Sequence, residues 1–166
     1  MSVKVSGLDL SMTQTGTCRT VDGAASWRVI KPRKVKDARL DEIVGQVMED
    51  VAGSELVLIE MLPPNMKGAG ITGMVQGIVR LELQRAGIAY GDIGPSSLKK
   101  YATGKGGASK TEMALAALTR GGAEISNDNA CDAWWAWVMA ADHLGSPVFP
   151  LPKLNRTMLD NIEMKG

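Results

Sequence analysis

The stretch VKVSGLDLS, residues 3–11, combines the alternation of a β-strand with a carboxylate in an apolar setting. Val3, Val5, Gly7 and Asp9 fall on one side of the predicted strand, because successive side chains of a strand point to opposite faces of the sheet. A buried carboxylate without a partner costs free energy, so Asp9 needs a cation or a hydrogen-bond network. This segment therefore predicts a sheet with a polar site attached to it.

Four further segments extend the sheet. The sequences TGTCRTV (15–21) and SWRVI (26–30) are separated by Asp22-Gly23, which is typical of a hairpin turn. ELVLIE (55–60) is apolar on both faces, as central parallel strands are, and a short strand follows near 89–93. Helical periodicity and capping signals place helices between and after these strands. We therefore predict an α/β fold: a mixed five-stranded sheet with helices on both faces.

The composition is typical of a globular protein with an ordinary charge content. With 166 residues, 45% hydrophobic and 22% charged, the chain corresponds to one domain over residues 1–166, including a proline-rich tail from about 145. No apolar run approaches the roughly 20 residues of a membrane span, and no signal-peptide pattern opens the chain. Cys18 and Cys131 are too few for a disulfide scaffold, and His143 is the single histidine. We expect a cytoplasmic protein without a membrane segment or a histidine-rich metal site.

The formal net charge of +1 hides a segregation of charges along the chain. Residues 31–39 carry five basic residues against one acid, and residues 95–111 carry lysines without any acid. Basic segments that accompany acids in apolar surroundings are typical of a metal-dependent enzyme acting on a polyanion. Taken by itself, either basic run is more often a solvated surface. The lysines that we predict to contact nucleic acid are Lys99, Lys100, Lys105 and Lys110.

Four acidic residues occur where a metal site would form: Asp9, Glu60, Asp128 and Asp132. Glu60 ends the central strand and would meet Asp9 if the two strands are parallel neighbours, because their carboxyl ends then share one edge of the sheet. Asp128 and Asp132 share one helix face, where like charges repel unless a cation is bound. Alternatively, Asp9 caps a turn and Asp128 caps the helix. Ligands that are all oxygen select Mg²⁺ or Mn²⁺, and two such ions about 4 Å apart can hydrolyse a phosphodiester.

The sequence resembles the RuvC-type Holliday-junction resolvases, and among them the compact forms encoded by phages. The resemblance covers nearly the whole chain and is carried by GLDLSMTQTG (7–16), ELVLIE (55–60), GASKTEM (107–113), SNDNACDAWWAWVMA (126–140) and the tail SPVFPLPKLNR (146–156). It implies an RNase H-like three-layer fold, a homodimer and no nucleotide cofactor. It also implies paired symmetric nicking of four-way DNA junctions, with two Mg²⁺ ions in each active site and Mn²⁺ as a substitute.

The resemblance also implies a role for each acidic residue. Asp9 would bridge both ions, Glu60 would hold one of them and Asp132 the other. Many members carry the remaining acid three residues before Asp132, where this chain has Asn129, and Asp128 lies one residue further back. Asp128 or Asn129 could take this place, and we predict Asp128.

Two further features bear on the resemblance. Lys110 matches a basic residue that lies near the scissile phosphate in the family. The loop after Glu60 departs from the family, because residues 61–70 (MLPPNMKGAG) lack the aromatic residue that some resolvases carry there. A GxGxxG pattern at residues 68–73 lies too far after the strand for a dinucleotide loop, so we assign it to helix packing or DNA approach.

The residues leave other functions open. Another RNase H-like nuclease would cut branched DNA or RNA–DNA hybrids, and a non-catalytic relative would bind junctions without cutting them. Residues 7–16 also loosely resemble the first phosphate loop of actin-type and sugar-kinase-type domains, but the chain is too short for that fold. A panel of nucleic-acid substrates separates the nucleases from one another, and cleavage separates them from a binding protein.

Overall fold

The computed structural model describes residues 3–63 and 69–166, apart from the side chain of Ala69. Within these residues it has six strands: β1 (Val5–Asp9), β2 (Thr15–Val21), β3 (Ala24–Ile30), β4 (Leu56–Glu60), β5 (Tyr90–Ile93) and β6 (Glu163–Met164). The helices are α1 (Ala38–Val51), α2 (Ala69–Arg85), α3 (Pro95–Thr103), α4 (Lys110–Gly121), α5 (Asp128–His143) and α6 (Lys153–Arg156), followed by a 3₁₀ turn over Thr157–Asn161. Residues 64–68, which hold part of the loop after Glu60 and the first glycine of the GxGxxG pattern, lie outside the described residues.

The strands form one mixed sheet in the order β3-β2-β1-β4-β5-β6. β1 pairs in parallel with β4 and β4 with β5, while the other neighbours are antiparallel. The predicted α/β class is confirmed, but the predicted count of five strands is wrong. The sixth strand comes from the tail, where Glu163 and Met164 pair with Asp92 and Gly91 at the edge of β5. A strand of two residues is too short to show the period of a strand, so the sequence did not reveal it.

Helices cover both faces of the sheet, each over its own apolar core. The side chains of β1 alternate accordingly: Val5 and Gly7 face α5, whereas Leu8 faces α1 and α2. The core under α5 contains the buried residues Leu56, Leu58, Trp134, Trp135 and Trp137. The core under α1 and α2 contains Ile43, Val47, Val57, Ile59, Val75 and Val79. This alternation puts Asp9 and Glu60, the last residues of β1 and β4, on the face that α5 covers.

The tail after α5 fixes α3 in place. Asn155 donates a hydrogen bond to the main-chain carbonyl of Tyr101 at 2.9 Å. The buried Asp142 of α5 accepts hydrogen bonds from the Tyr101 hydroxyl at 3.0 Å and from the Arg156 guanidinium at 2.7 and 3.0 Å. The helix that carries Lys99 is therefore held between α5 and the tail.

The backbone of α5 lies directly against β1 and β2, because two glycines leave room for it. A Cβ atom at Gly7 would collide with the Ala133 carbonyl oxygen and the Trp137 nitrogen. A Cβ atom at Gly16 would collide with the Asn129 carbonyl. These contacts place the first turns of α5 beside the carboxyl end of β1.

We predict that Gly7→Ala destabilises the fold by about 3 kcal/mol, because a methyl group forced against fixed backbone atoms displaces α5 from the sheet. Urea unfolding followed by tryptophan fluorescence measures the change. Gly45→Ala is the matched control: Gly45 lies within α1 with no atom within 4 Å of its added Cβ. That variant should gain about 0.5–1 kcal/mol from helix propensity. Equal unfolding midpoints for Gly7→Ala and the wild type would contradict the prediction.

Candidate metal centre and nucleic-acid interface

Three carboxylates converge at the carboxyl ends of two neighbouring parallel strands. β1 and β4 pair in register up to Leu8 and Ile59, so the next residues, Asp9 and Glu60, emerge together. α5 crosses this edge and contributes Asp132. One carboxylate oxygen from each of these three residues lies within 4.8 Å of the others. The cluster joins positions that are up to 123 residues apart, between Asp9 and Asp132.

The protonation of the cluster is strongly perturbed. Burial raises the pKa of Asp9 to about 7, and nearby Asp132 adds to the rise while Lys110 opposes it. Burial also raises the pKa of Asp132 to about 6, against the opposing charge of Lys99. The pKa of Glu60 lies well above its ordinary value, first through burial and then through Asp132 and Asp9. Desolvation and mutual repulsion thus disfavour the charged cluster, and a bound cation would relieve both.

The donor set fits a hard divalent cation. The three converging ligands are carboxylates, and oxygen donors suit Mg²⁺ and Mn²⁺ rather than Zn²⁺. Cys131 is adjacent, but burial raises the pKa of its thiol to about 12, so it does not supply a thiolate. The cluster lines a cleft of about 360 Å³. The lining of this cleft also includes Lys99, Lys110, Asp128 and Asn129.

The two alternatives for a fourth ligand have different partners. The Asp128 carboxylate lies 2.6 Å from the Lys110 ammonium and is 44% exposed, so its surroundings are less apolar than we predicted. The Asn129 side chain donates a hydrogen bond to the main-chain carbonyl of Gln14 at 2.8 Å. Both residues line the cleft, but neither belongs to the three-carboxylate cluster. Asp128 is not the helix cap, because Asn127 takes that place and accepts a hydrogen bond from the next turn.

Two of the four predicted nucleic-acid-binding lysines lie at the cluster. Lys99 and Lys110 line the cleft, and their charges lower the pKa values of the acids there. Lys105 pairs with Glu112 at 3.0 Å. Lys100 lies on α3 and is not among the described residues that line the cleft. Fewer lysines therefore lie at the site than the basic segment 95–111 suggested.

Sequence reasoning missed two side chains that support the site. Gln76, buried on α2, donates a hydrogen bond to the main-chain carbonyl of Glu60 at 3.1 Å. The sequence does carry a signal for Gln76, because it is a polar residue between the apolar helix positions Val75 and Val79. Gln14 holds the start of α5, and no spacing or composition in its loop indicates this.

Comparisons with known proteins show which proteins this chain is similar to. No family model matches the chain. Crossover junction endodeoxyribonuclease RuvC from two strains of Cereibacter sphaeroides is 25% identical over 147 residues, which cover 87% of this chain and 82% of each relative. Thermus thermophilus RuvC superposes with a TM-score of 0.71 at 22% identity, covering 98% of this chain and all of that one.

The resemblance to the RuvC family is confirmed. A second structure, Thermus thermophilus RuvC in complex with a Holliday junction substrate, superposes with a TM-score of 0.72, also at 22% identity, over 98% of this chain and 99% of that chain. The RuvC-like fold therefore spans nearly the whole length of both proteins. In the part of the chain that the structure describes, no helix has the length and apolar content needed to cross a bilayer.

We predict that, without cations, the stability of Asp9→Asn relative to the wild type increases as the pH rises from 5 to 8. The folded state raises the pKa of Asp9 to about 7, whereas an unfolded aspartate releases its proton near pH 4. Folding therefore retains a proton that the unfolded chain releases, and the wild type loses a few kcal/mol of stability across this range. Urea unfolding in a chelator at pH 5 and pH 8 measures the difference between the two proteins.

Asp22→Asn, in the exposed β2–β3 turn, removes the same charge and serves as the control. Its stability relative to the wild type should not change in this way with pH. Saturating Mn²⁺ at pH 8 should restore about 3 kcal/mol to the wild type, because a ligand at 100 times its Kd stabilises by that amount. A pH-independent gap between Asp9→Asn and the wild type would contradict the prediction.

Proposed function

We propose that this protein is a divalent-cation-dependent endonuclease that resolves four-way DNA junctions. The observation that supports this most directly is the convergence of Asp9, Glu60 and Asp132 beside Lys99 and Lys110 in one cleft. The sequence relatives are named crossover junction endodeoxyribonucleases, and one similar structure is a RuvC–junction complex. The expected cytoplasmic location is part of the proposal, since the DNA substrate would be found there.

Asp9, Glu60 and Asp132 would hold the cations, and we propose two Mg²⁺ ions per site, with Mn²⁺ as a substitute. Bound divalent ions favour phosphodiester hydrolysis by activating water and by neutralising charge on the leaving oxygen. Asp128 is favoured as a fourth ligand over Asn129. Hard cations favour carboxylate ligands, and only Oδ2 of the Asp128 carboxylate is paired with Lys110.

The two lysines in the cleft would bind and orient the phosphate. The Lys110 side chain is 79% exposed, so it can reach a strand that enters from solvent. Lys110 is paired with Asp128, so an incoming phosphate would replace this carboxylate as its partner. Lys99 lines the same cleft from α3 and would hold a second phosphate oxygen. Lys100 and Lys105 would contact the backbone of the strand outside the cleft.

We predict that Asp9→Asn cuts junctions at least about a thousandfold more slowly than the wild type, since losing the shared ligand removes several kcal/mol of charge stabilisation. Junction binding should persist, because the lysines are unchanged. Cleavage is measured with a labelled four-way junction in Mg²⁺, and binding by gel shift in a chelator. Asp22→Asn should cut at the wild-type rate. Wild-type cleavage by Asp9→Asn would contradict the assignment.

The substrate range distinguishes the proposal from its rivals. The wild type should cut a four-way junction faster than a fork, an RNA–DNA hybrid or a linear duplex of the same sequence. Preference for the fork or the hybrid would indicate a different RNase H-like nuclease. Binding to the junction without cleavage in Mg²⁺ or Mn²⁺ would indicate a non-catalytic junction-binding protein.

We further propose that two copies act together through α2. Ile71, Met74 and Leu81 are each about half exposed, and Ile78 lies on the same helix face. Such an apolar stripe suits a second copy of the chain, and a two-fold symmetric junction calls for an isologous pair that makes symmetric nicks.

We predict that Leu81→Glu converts the protein to a monomer and uncouples the paired nicks, because a charge in the stripe prevents its burial between two copies. Light scattering gives the oligomeric state, and a supercoiled cruciform plasmid distinguishes single nicks from paired ones. Leu118→Glu, on the exposed face of α4 and equally accessible, is the control and should stay dimeric. A wild type that is monomeric with and without DNA would overturn the dimer proposal.

A further inference from the structure

We infer that Gln14 is a positioning residue that holds the first turn of α5 against the β1–β2 loop and so sets the separation between Asp9 and Asp132. The inference rests on the proposed function, because this separation matters only if the two carboxylates share cations. Gln14 is not among the residues that line the cleft.

Gln14 binds both asparagines that flank Asp128. Its side-chain carbonyl accepts a hydrogen bond from the Asn127 amide at 3.0 Å. Its main-chain carbonyl accepts a hydrogen bond from the Asn129 amide at 2.8 Å. One loop residue thus holds both the N-cap and the second residue of α5, more than a hundred residues later in the chain.

Asn127 links this contact to the helix itself. Its side-chain oxygen caps α5 by accepting a hydrogen bond from the Ala130 nitrogen at 3.1 Å, while its nitrogen binds Gln14. The same amide group therefore caps the start of the helix and joins it to the loop. A shift of the helix start against the loop would break the two hydrogen bonds to Gln14, while the cap bond would move with the helix.

The loop that carries Gln14 is itself closed and connected to Asp9. The Thr15 hydroxyl donates to the Ser11 carbonyl at 2.8 Å and accepts from the Ser11 nitrogen at 3.0 Å. Gly16 is the ladder partner of Asp9 and lies directly against the Asn129 backbone. Movement of the loop against α5 would therefore change the distance from Asp9 to the helix.

Cation binding is sensitive to such a movement. Mg²⁺ requires nearly ideal octahedral geometry, with oxygen ligands at about 2.0–2.1 Å. Ligands that are misplaced by roughly 0.5 Å lose productive geometry, so residues behind the ligands influence the affinity. Gln14 occupies this supporting position for Asp132, which lies one turn further along α5 than Asp128.

The test compares variants that remove the hydrogen bond with one that keeps it. Gln14→Met preserves the length of the side chain but removes the acceptor, and Asn127→Ser keeps a capping oxygen but removes the donor. Gln14→Glu keeps the acceptor. Isothermal titration of the cation-free proteins with Mn²⁺ should show about tenfold weaker binding for Gln14→Met and for Asn127→Ser. Gln14→Glu should bind at least as tightly as the wild type.

Two further measurements separate positioning from general destabilisation. The double variant Gln14→Met/Asn127→Ser should bind Mn²⁺ no more weakly than either single variant, because both remove the same bond. Amide hydrogen exchange without any cation should speed up over residues 11–16 and 127–131 in Gln14→Met, and not in Gln14→Glu.

The outcomes distinguish this inference from the proposed function. If the wild type binds Mn²⁺ and cuts junctions while Gln14→Met binds Mn²⁺ equally well, the inference is overturned and the function stands. If Gln14→Glu loses as much affinity as Gln14→Met, the hydrogen bond is not responsible and the inference is again overturned. A wild type that binds no Mn²⁺ overturns the proposed function, and the inference with it.

Discussion

The close approach of the α5 backbone to β1 is the constraint on which the rest of the structure depends. It exists because Gly7 and Gly16 have no side chains at the two points where helix and sheet touch. A helix held one side-chain layer further away would leave Asp132 out of reach of Asp9. The packing of the core and the geometry of the site are therefore consequences of the same contact, and the tryptophans of α5 fill the space on either side of it.

The cluster of Asp9, Glu60 and Asp132 lowers the stability of the fold. Glu60 is buried, and Asp9 and Asp132 are partly buried. These three carboxylates within 4.8 Å of one another oppose folding at neutral pH, and the surrounding apolar residues make this repulsion stronger. Such a conflict between local chemistry and packing is typical of functional sites, where a bound ligand supplies the compensating positive charge. Lys99 and Lys110 reduce this cost, but burial remains the largest effect on the pKa values of Asp9 and Asp132.

Much of this arrangement could be predicted from local sequence patterns, and the remainder depends on contacts distant in the chain. The alternation in β1, the Asp22-Gly23 turn between β2 and β3 and the continuous apolar run of β4 predicted these strands. The capping signals used to place the helices include the capping box of Ser109 and Glu112, which is present at the start of α4. Glu60 was predicted to meet Asp9 on the condition that β1 and β4 are parallel neighbours, and the structure pairs them in this way. The bond from Gln14 to α5 and the pairing of Asp128 with Lys110 could not be predicted, because side-chain partners far apart in sequence leave no periodic signal.

The docking of the tail has a consequence for the order of folding. The β2–β3 hairpin closes over a two-residue turn, whereas β6 must find β5 across a long intervening segment, which costs more loop-closure entropy. Local elements with short closure distances form early, and distant pairings form late. Asn155 and Arg156 secure α3, and both are synthesised after Asp9, Glu60 and Asp132. A nascent molecule would therefore pass through a stage in which all three carboxylates have been synthesised but the helix that carries Lys99 is not yet held by the tail.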